Sequence, residues 1–335
     1  SMVSHILLAA DTDPTISVGG ILPAIHGNIR VGADHIFVTE ACEYTNSFLD
    51  FFPKISIILN IDADHLDFFK DLDDIRHSFR LFAEKLPSDG ILIINKAIPN
   101  VEAITAGLPC RIIYYDMDST SGADYYAANI SYDAMACGSF DLMHGSENMG
   151  HFVLHVPGEH NVDNAIAALA LAHLIDVPVT AMQKGLDQFG GTERRFQHKG
   201  EVGGVTIVDD YAHHPTEIRA TLHAAQNCAH KTLWCVFQPH TYTRTKALMD
   251  DFASALALAD KVVLADIYAA RETDTLGISS RTLQQKLLDL GCEAYYFPSF
   301  DEIETFLLEN CSNGDLLITM GAGDIVKVGE KLLGQ

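Results

Sequence analysis

The chain has 335 residues, 48% of them hydrophobic, and this length exceeds that of a single hydrophobic core, so two domains are expected. Its 22 basic against 45 acidic residues give a formal charge of −23 with no basic cluster to offset it, which argues against nucleic acid or anionic membranes as partners. The seven cysteines form no C-x-x-C pair, and no apolar run reaches the roughly 20 residues that span a bilayer, which indicates a cytoplasmic protein without a disulfide framework or membrane helix.

The first part of the chain alternates helices and short β-rich runs. Residues 1–10 predict a helix, and residues 16–32 form a glycine-rich stretch that is either a substrate-facing loop or the tip of a hairpin. An amphipathic helix is predicted at 71–86. Three β-rich runs are predicted as strands, at 35–40, 55–60 and 90–95. This βαβ alternation indicates an α/β fold.

Polar residues follow two of these strands. Glu40 ends the first, and His65 comes shortly after the second, a spacing that fits one strand-loop-helix-strand step. Carboxylate and imidazole groups at neighbouring strand ends suit Mg²⁺, which keeps several waters and takes few protein ligands. A Glu and a His so spaced are also compatible with purely structural roles, and the sequence leaves both readings open.

The pattern then changes to short alternating runs over residues 125–156, which predict a small antiparallel sheet. The helix that follows is rich in alanine and leucine, and its first turns carry Asn161 and Asn164. Amides three residues apart lie on one side of a helix, where they cap its N-terminus or present a flat edge to a nucleotide base. Capping accounts for one of them, so the second favours base binding.

A hinge-like composition places the domain boundary near residue 188. Arg195, beside an aromatic residue in a strongly acidic chain, is either a solvated charge or a phosphate clamp. The remaining sequence repeats strands and helices. Its five predicted strands lie at 205–208, 232–237, 261–265, 294–297 and 316–319.

Polar or glycine residues follow each of these strands, which places them at the edge of a parallel sheet where α/β proteins bind ligands. The densest group, with Asp210, Tyr211 and His213, precedes a helix that begins near Pro215. Gly321-Ala-Gly follows the last strand and resembles part of a dinucleotide-binding fingerprint. It lacks the acidic residue roughly 20 positions further on, so it is weak evidence for NAD.

Six motifs occur in order along the chain, and together they closely resemble those of the Mur ligases, in particular the members that add alanine. The motifs are Glu40-Ala-Cys-Glu-Tyr, Asn60-Ile-Asp-Ala-Asp-His-Leu-Asp, Gly158-Glu-His-Asn-Val-Asp-Asn, Gly191-Thr-Glu-Arg-Arg-Phe-Gln, Asp209-Asp-Tyr-Ala-His-His-Pro-Thr-Glu and Phe237-Gln-Pro-His-Thr-Tyr-Thr-Arg-Thr. Any one of them would be weak evidence, but the ordered set covers almost the entire chain.

The resemblance implies two domains. Residues 1–188 would be the central, P-loop-type mononucleotide-binding α/β domain with the small antiparallel sheet. Residues 189–335 would be the Rossmann-like, doubly wound domain that receives the amino acid. The family's phosphate loop ends in Gly-Lys-Thr, and no Gly-Lys pair occurs in this sequence. We therefore expect a ligase truncated at its N-terminus and inactive as this chain alone.

The implied reaction is ATP-dependent ligation of L-alanine to the carboxylate of UDP-N-acetylmuramate through an acyl phosphate, with Mg²⁺, in cytoplasmic peptidoglycan precursor synthesis. A monomer or weak homodimer is expected. The resemblance assigns Glu40 and His65 to Mg²⁺. It assigns nucleotide binding to His160, Asn161, Asn164, Arg195 and Asp210. It places Tyr211, His213 and Arg244 around the amino acid and the muramyl carboxylate, where His213 either takes the amine proton or orients a reactant.

Three alternatives remain at this point. The first is a recycling ligase that joins a preformed peptide to the same muramyl nucleotide. The second is a nicotinamide oxidoreductase, which rests on the glycines at 321 and 323. The third is a non-catalytic relative of the family.

Overall fold

The structure is a computed structural model of the chain. It describes residues 1–33, 35–65, 68–133, 135–273 and 275–335. Two compact units are present, which we call unit 1 (Ser1–Asp133 with Cys137–Thr192) and unit 2 (Glu193–Gln335 with the short segment 134–136). They divide slightly C-terminal to residue 188, and the proposed domain limits at that residue stay a prediction. Among the described residues, no helix has the length and apolarity needed to cross a membrane.

The described residues of unit 1 form five α-helices, two short 3-10 helices and nine strands. The helices are α1 (Met2–Ala9), α2 (Leu72–Ala83), α3 (Glu102–Thr105), α4 (Glu159–Leu174) and α5 (Val179–Asp187), with 3-10 turns at Pro23–Ile25 and Tyr44–Asp50. The strands are β1 (Thr15–Leu22), β2 (Gly27–Arg30), β3 (Phe37–Thr39), β4 (Ile55–Ile58), β5 (Ile91–Asn95), β6 (Arg111–Asp116), β7 (Tyr125–Tyr132), β8 (Cys137–His144) and β9 (Glu147–Pro157).

Two sheets form in unit 1. The smaller has the order β2-β1-β3, and its strands β1 and β2 pair antiparallel across the first 3-10 turn. Residues 16–32 are therefore a hairpin, as the second interpretation of that stretch had it. The larger sheet has the order β4-β5-β6-β7-β8-β9 and is parallel from β4 to β7. The predicted small antiparallel sheet is present as β7, β8 and β9, which pair antiparallel with one another and, through the parallel pairing of β7 with β6, extend one mixed sheet.

Helices cover both faces of the parallel strands in unit 1. On β5, Ile93 faces the core that contains α4, whereas Leu92 and Ile94 face the core that contains α2 and α3. Helix α4 is apolar around most of its circumference, with Ala165 to Ala170 all buried, which is typical of a helix inside a domain. Its polar side chains lie in the first turns, beside the carboxyl ends of the strands, and at His173 in the last turn.

Unit 2 is a six-stranded sheet with helices on both faces. Its strands are β10 (Gln197–Val202), β11 (Val205–Asp210), β12 (Leu233–Phe237), β13 (Lys261–Leu264), β14 (Glu293–Tyr296) and β15 (Leu316–Met320). Its helices are α6 (Pro215–Gln226), α7 (Tyr242–Ala247), α8 (Met249–Leu256), α9 (Ser280–Asp289), α10 (Phe300–Asn310) and α11 (Val326–Leu332). The strand order is β10-β11-β15-β12-β13-β14, and all strands are parallel except the edge strand β10.

Alternate residues of the same strand in unit 2 belong to different cores. In β12, Cys235 and Phe237 pack with α6, α8 and α9, whereas Trp234 and Val236 pack with α10 and α11. Because successive side chains of a strand point to opposite faces, this division defines a doubly wound sheet. The Rossmann-like architecture expected for the second half is confirmed, and the sequence analysis missed only the polar edge strand β10.

Candidate active site

The turn between β11 and α6 holds two of the predicted catalytic residues, Tyr211 and His213. Helix α6 begins with Pro215 after a capping box, in which the His214 side chain and Glu217 satisfy the first backbone N–H groups. The backbone N–H of His213 donates to Glu217 Oε2 at 3.0 Å, and His213 Nδ1 lies 3.0 Å from the Tyr211 carbonyl oxygen. These local contacts fix the orientation of the imidazole at the carboxyl end of the sheet.

A ring cluster connects His213 to the third predicted catalytic residue, Arg244. The rings of His213 and His240 pack edge to face with centroids 5.9 Å apart, and His240 stacks on Tyr268 at 5.5 Å. Arg244 Nη1 lies 3.4 Å from His240 Nδ1. The residues predicted from two separate motifs are thus neighbours in space, and His240 and Tyr268, which were not singled out, lie between or beside them.

His240 carries a strongly perturbed pKa. Burial lowers it to about 4, and the nearby His213 and Arg244 act in the same direction against the opposing effect of Glu272. The imidazole is therefore neutral near pH 7, which allows Nδ1 to accept a hydrogen bond from the guanidinium of Arg244. A neutral acceptor here helps to hold the arginine in place without adding a charge that would repel it.

The titration of His240 provides a direct test. We expect its ring resonances to shift with a midpoint near pH 4 by NMR, because the folded state disfavours the charged ring. Its contribution to stability is then complete above the ordinary histidine pKa of about 6.5 and is lost as the pH falls towards 4. Replacing Arg244 with methionine should raise the midpoint. An ordinary midpoint in the unmodified protein would contradict the arrangement.

Asp210 lies at the end of β11 and is 5% exposed. Its Oδ1 accepts from the Ala212 backbone N–H and its Oδ2 from the Phe196 N–H, both at 2.7 Å. Burial raises the pKa of Asp210 to about 6, against the effect of these hydrogen bonds. The carboxyl group shapes the turns on either side of the strand, and its contact with nucleotide stays a prediction.

Arg194, which the sequence analysis passed over, forms a buried ion pair beside this turn. Its Nε donates to Asp209 Oδ2 at 2.9 Å, and its Nη2 donates to the Gly321 carbonyl at 2.7 Å. The guanidinium also lies 4.9 Å from the centroid of the Tyr211 ring. The sequence did not indicate whether Arg194 or Arg195 faces the sheet. The pairing of Gln197 with Asp209 across β10 and β11 brings Arg194 to it.

The side chain of Arg195, the predicted phosphate clamp, pairs with Glu217 and not with Asp209. Its side chain is 52% exposed and its Nη1 lies 3.4 Å from Glu217 Oε1. The guanidinium carbon is 5.8 Å from the Tyr211 ring centroid. An exposed arginine in a long ion pair can reorient at little cost, so the geometry is compatible with the predicted role, which remains untested.

The glycines at 321 and 323 have a packing explanation. A Cβ at Gly323 would lie 2.3 Å from Gln238 Oε1, and one at Gly321, whose φ is +145°, would lie 2.7 Å from the Gln238 carbonyl oxygen. The loop after β15 therefore needs glycine in order to pack against the end of β12. This accounts for the partial fingerprint without a dinucleotide and removes the main support for an oxidoreductase.

The predicted metal ligands of unit 1 lie among other carboxylates. Glu40 is exposed and its Oε2 accepts from the Gly19 N–H at 2.9 Å. His65 Nε2 lies 3.3 Å from Glu43 Oε1 and 3.7 Å from Asp64 Oδ2. A hydrogen bond with His65 lowers the pKa of Glu43. Glu43, which directly precedes the second 3-10 turn, was not among the predicted ligands.

These donors suit Mg²⁺, since they are hard oxygen groups with one imidazole. No group of three potential ligands exists among the described residues. Mg²⁺ usually keeps several waters and takes one or two protein ligands, so a smaller set fits it. Glu40 and His65 remain the predicted ligands, with Glu43 as a further oxygen donor beside the imidazole.

The predicted base-binding residues occupy the first turns of α4, after Gly158 with φ of +101°. The Asn161 side chain donates to the Pro157 carbonyl at 2.8 Å, so it has a structural partner. Asn164 is half-buried, and its side chain makes no hydrogen bond within the part of the chain that the structure describes. His160 is exposed on the same turn. Of these three residues, Asn164 is the one whose geometry best supports binding to a ligand.

Both units are α/β folds whose polar side chains gather at the carboxyl ends of parallel strands, the arrangement of nucleotide-dependent enzymes. Comparison with known families agrees. Residues 22–172 match the Mur ligase middle domain, and residues 194–323 match the Mur ligase glutamate ligase domain. The chain belongs to the Mur ligase family, whose members are ATP-dependent amide ligases.

Individual relatives refine this comparison. The UDP-N-acetylmuramate–L-alanine ligase of Agathobacter rectalis is 61% identical over 99% of this chain and 72% of its own length. The corresponding ligase of Thermotoga maritima has a similar structure, with a TM-score of 0.81 and 27% identity over 99% of this chain and 71% of that one. A murein peptide ligase of Psychrobacter arcticus shares the fold, with a TM-score of 0.71 and 23% identity over 99% of this chain and 73% of that one.

Proposed function

We propose that this chain belongs to an ATP-dependent ligase that joins the amine of L-alanine to the carboxylate of UDP-N-acetylmuramate. The observation that carries the proposal is the cluster in unit 2, where Tyr211, His213 and Arg244 come together around His240 in a member of the Mur ligase family. Ligation of an amine to a carboxylate needs a cation for the carboxylate and a group near the amine proton, and the cluster contains both.

Each residue of the cluster has a proposed task. The guanidinium of Arg244 presents a planar pair of N–H donors, which suits a carboxylate of the amino acid or of the muramyl group. His213 would accept the amine proton or orient the amine, since an imidazole titrates near neutral pH. Tyr211, whose ring packs 5.5 Å from that of His213, would close one side of the amino-acid site.

Unit 1 would bind the nucleotide and the metal. The base would lie against His160, Asn161 and Asn164, and Glu40 with His65 would hold Mg²⁺. Bound ATP would supply the phosphoryl group that activates the muramyl carboxylate, and Mg²⁺ would neutralise charge on the phosphates. Nucleotide contacts of Arg195 and Asp210 in unit 2 belong to the same proposal, as do a cytoplasmic location and a monomer or weak homodimer.

The test is substrate-dependent ADP release by the natural gene product that contains this chain. We expect release to require UDP-N-acetylmuramate and to be faster with L-alanine than with a preformed tripeptide. Faster release with the tripeptide would replace the proposal with the recycling ligase. Tight NADH binding without any ATP binding would favour an oxidoreductase. Omitting the muramyl nucleotide provides the control for unrelated ATP hydrolysis.

A further inference from the structure

A polar cluster links the first turns of α4 to the carboxyl ends of β5 and β6. The Asn95 side chain at the end of β5 donates from Nδ2 to Asp163 Oδ2 on α4 at 2.7 Å. Asn95 Oδ1 accepts from the Ala97 N–H at 2.8 Å, which fixes the amide orientation. Asn95 is 8% exposed. The bond therefore spans two elements through a buried and fully oriented side chain.

Asp163 sits among the residues predicted to bind the base. At about 100° per residue on an α-helix, it flanks His160 on one side, and Asn164 and Asn161 follow on the other. All four side chains belong to the first two turns of α4. Whatever fixes Asp163 to the strand therefore fixes the position of these three neighbours.

The charges around Asp163 favour its neutral form. Asp116 at the end of β6 is 8% exposed, and its Oδ1 accepts from the Asp118 N–H at 3.0 Å. Neither Asp116 nor Asp163 has an ion-pair partner within the described ranges of the chain. Burial raises the pKa of Asp163 to about 7, with Asp116 adding to the rise and the bond from Asn95 opposing it.

The other polar groups near this cluster do not offset the two carboxyls. The Tyr115 hydroxyl is directed at the Leu59 carbonyl at 3.4 Å, and burial raises the pKa of that phenol. Lys96 Nζ donates to the carbonyls of Ser121 and Gly122 at 2.6 and 2.9 Å. On α4 itself, Glu159 and His160 are exposed. Buried Asp116 and half-buried Asp163 thus interact without a neutralising cation among the described residues.

We propose that Asp163 and Asn95 make a latch that positions the first two turns of α4 for nucleotide binding. The amide of Asn95 can donate to either form of the carboxyl, but only the neutral form avoids repulsion from Asp116. Ionisation of Asp163 loosens the latch and moves the predicted base-binding side chains. The effect on nucleotide rests on the proposed function, whereas the effect on the helix does not.

Amide hydrogen exchange of this chain without nucleotide tests the latch. Asp163→Ala and Asn95→Ala should each accelerate exchange in the first two turns of α4 by about tenfold, because each removes one buried hydrogen bond. Asp163→Asn keeps an acceptor for Asn95 and carries no charge, so its exchange should match the unmodified protein near pH 4, where the carboxyl is neutral in both the closed and the open helix. Glu159→Gln removes an exposed carboxylate from the same turn and serves as the matched control.

The pH dependence separates a latch from simple packing. After correction for intrinsic exchange rates, protection of these turns should fall as the pH rises from about 4 to about 7 in the unmodified chain and in Glu159→Gln, but not in Asp163→Asn. Exchange as fast in Asp163→Asn as in Asp163→Ala would overturn the role of the neutral form. Unchanged exchange in both alanine variants would overturn the latch itself.

Binding of ATP with Mg²⁺ to the natural gene product gives the functional readout. The dissociation constant should rise about tenfold in Asp163→Ala and stay near its original value in Asp163→Asn. Loss of helix protection without any loss of ATP affinity would reject the role in nucleotide binding. If the unmodified protein binds no ATP, the proposed function fails, and the exchange experiment still decides the latch.

Discussion

Replacing Arg194 with methionine is expected to lower the free energy of unfolding of unit 2 by about 3–5 kcal/mol, the usual result of removing one partner from a buried ion pair. Asp209 is fully buried, and Arg194 Nε donates to its Oδ2 at 2.9 Å. Without the guanidinium, the one side-chain donor left to the carboxylate among the described residues is the Thr319 hydroxyl, which donates to Oδ1 at 2.7 Å. A buried charge with a single neutral hydrogen-bond donor raises the free energy of the folded state.

Urea unfolding followed by fluorescence measures this effect. The chain has a single tryptophan, Trp234, which is 1% exposed in the core of unit 2 and reports on that unit alone. Arg195→Met is the matched control, because its pair with Glu217 is exposed and should contribute less than about 1 kcal/mol. Adding Asp209→Asn to the Arg194 variant should recover part of the loss. A decrease no larger than that of the control would refute the importance of the pair.

The second large effect concerns activity. Arg244→Met should lower kcat/KM for L-alanine by about 10²–10³, the usual cost of losing a donor that stabilises developing negative charge. The kcat/KM of Arg244→Lys should lie between those of the unmodified protein and Arg244→Met, since lysine keeps the charge without the planar pair of donors. Steady-state ADP release by the natural gene product measures both variants.

Arg219 offers a control for this experiment. It lies on α6 in the same unit and pairs with Asp251 at 3.7 Å near the surface, away from the ring cluster. Arg219→Met should leave kcat/KM close to the original value while removing the same charge. Retention of full activity by Arg244→Met would show that the guanidinium does not act on substrate and would remove the basis for its assigned role.

The parallel strands were predictable from the sequence because burial on both faces leaves a simple pattern. The run from Leu233 to Phe237 is continuously apolar, and all five residues are buried. Gln197–Val202 has no such pattern, since β10 is an edge strand with largely polar, partly exposed side chains. Its existence depends on pairing with β11, which is a tertiary contact that local composition does not encode.

The candidate site divides in the same way. His213 and Arg244 each follow a predicted parallel strand, and the carboxyl ends of such strands lie at the same edge of the sheet. Their proximity was therefore predictable from topology alone. The partner of His65 was not predictable, since Glu40 and Glu43 are both carboxylates near one strand end and only the backbone path places Glu43 beside the imidazole. Likewise, nothing in the sequence distinguished Asp163 from the other polar residues of its helix. Its hydrogen bond with Asn95, 68 positions away, forms only in the folded chain.

The position of β15 has a consequence for the order of events during synthesis. This strand is the last of the chain, yet it lies between β11 and β12, with Ile318 opposite both Val208 and Cys235. Until residue 320 has left the ribosome, β15 is not available to pair with β11 and β12 and so to connect these two earlier strands. The sheet of unit 2 therefore cannot close until residue 320 has been synthesised, and until then the facing edges of β11 and β12 are unpaired.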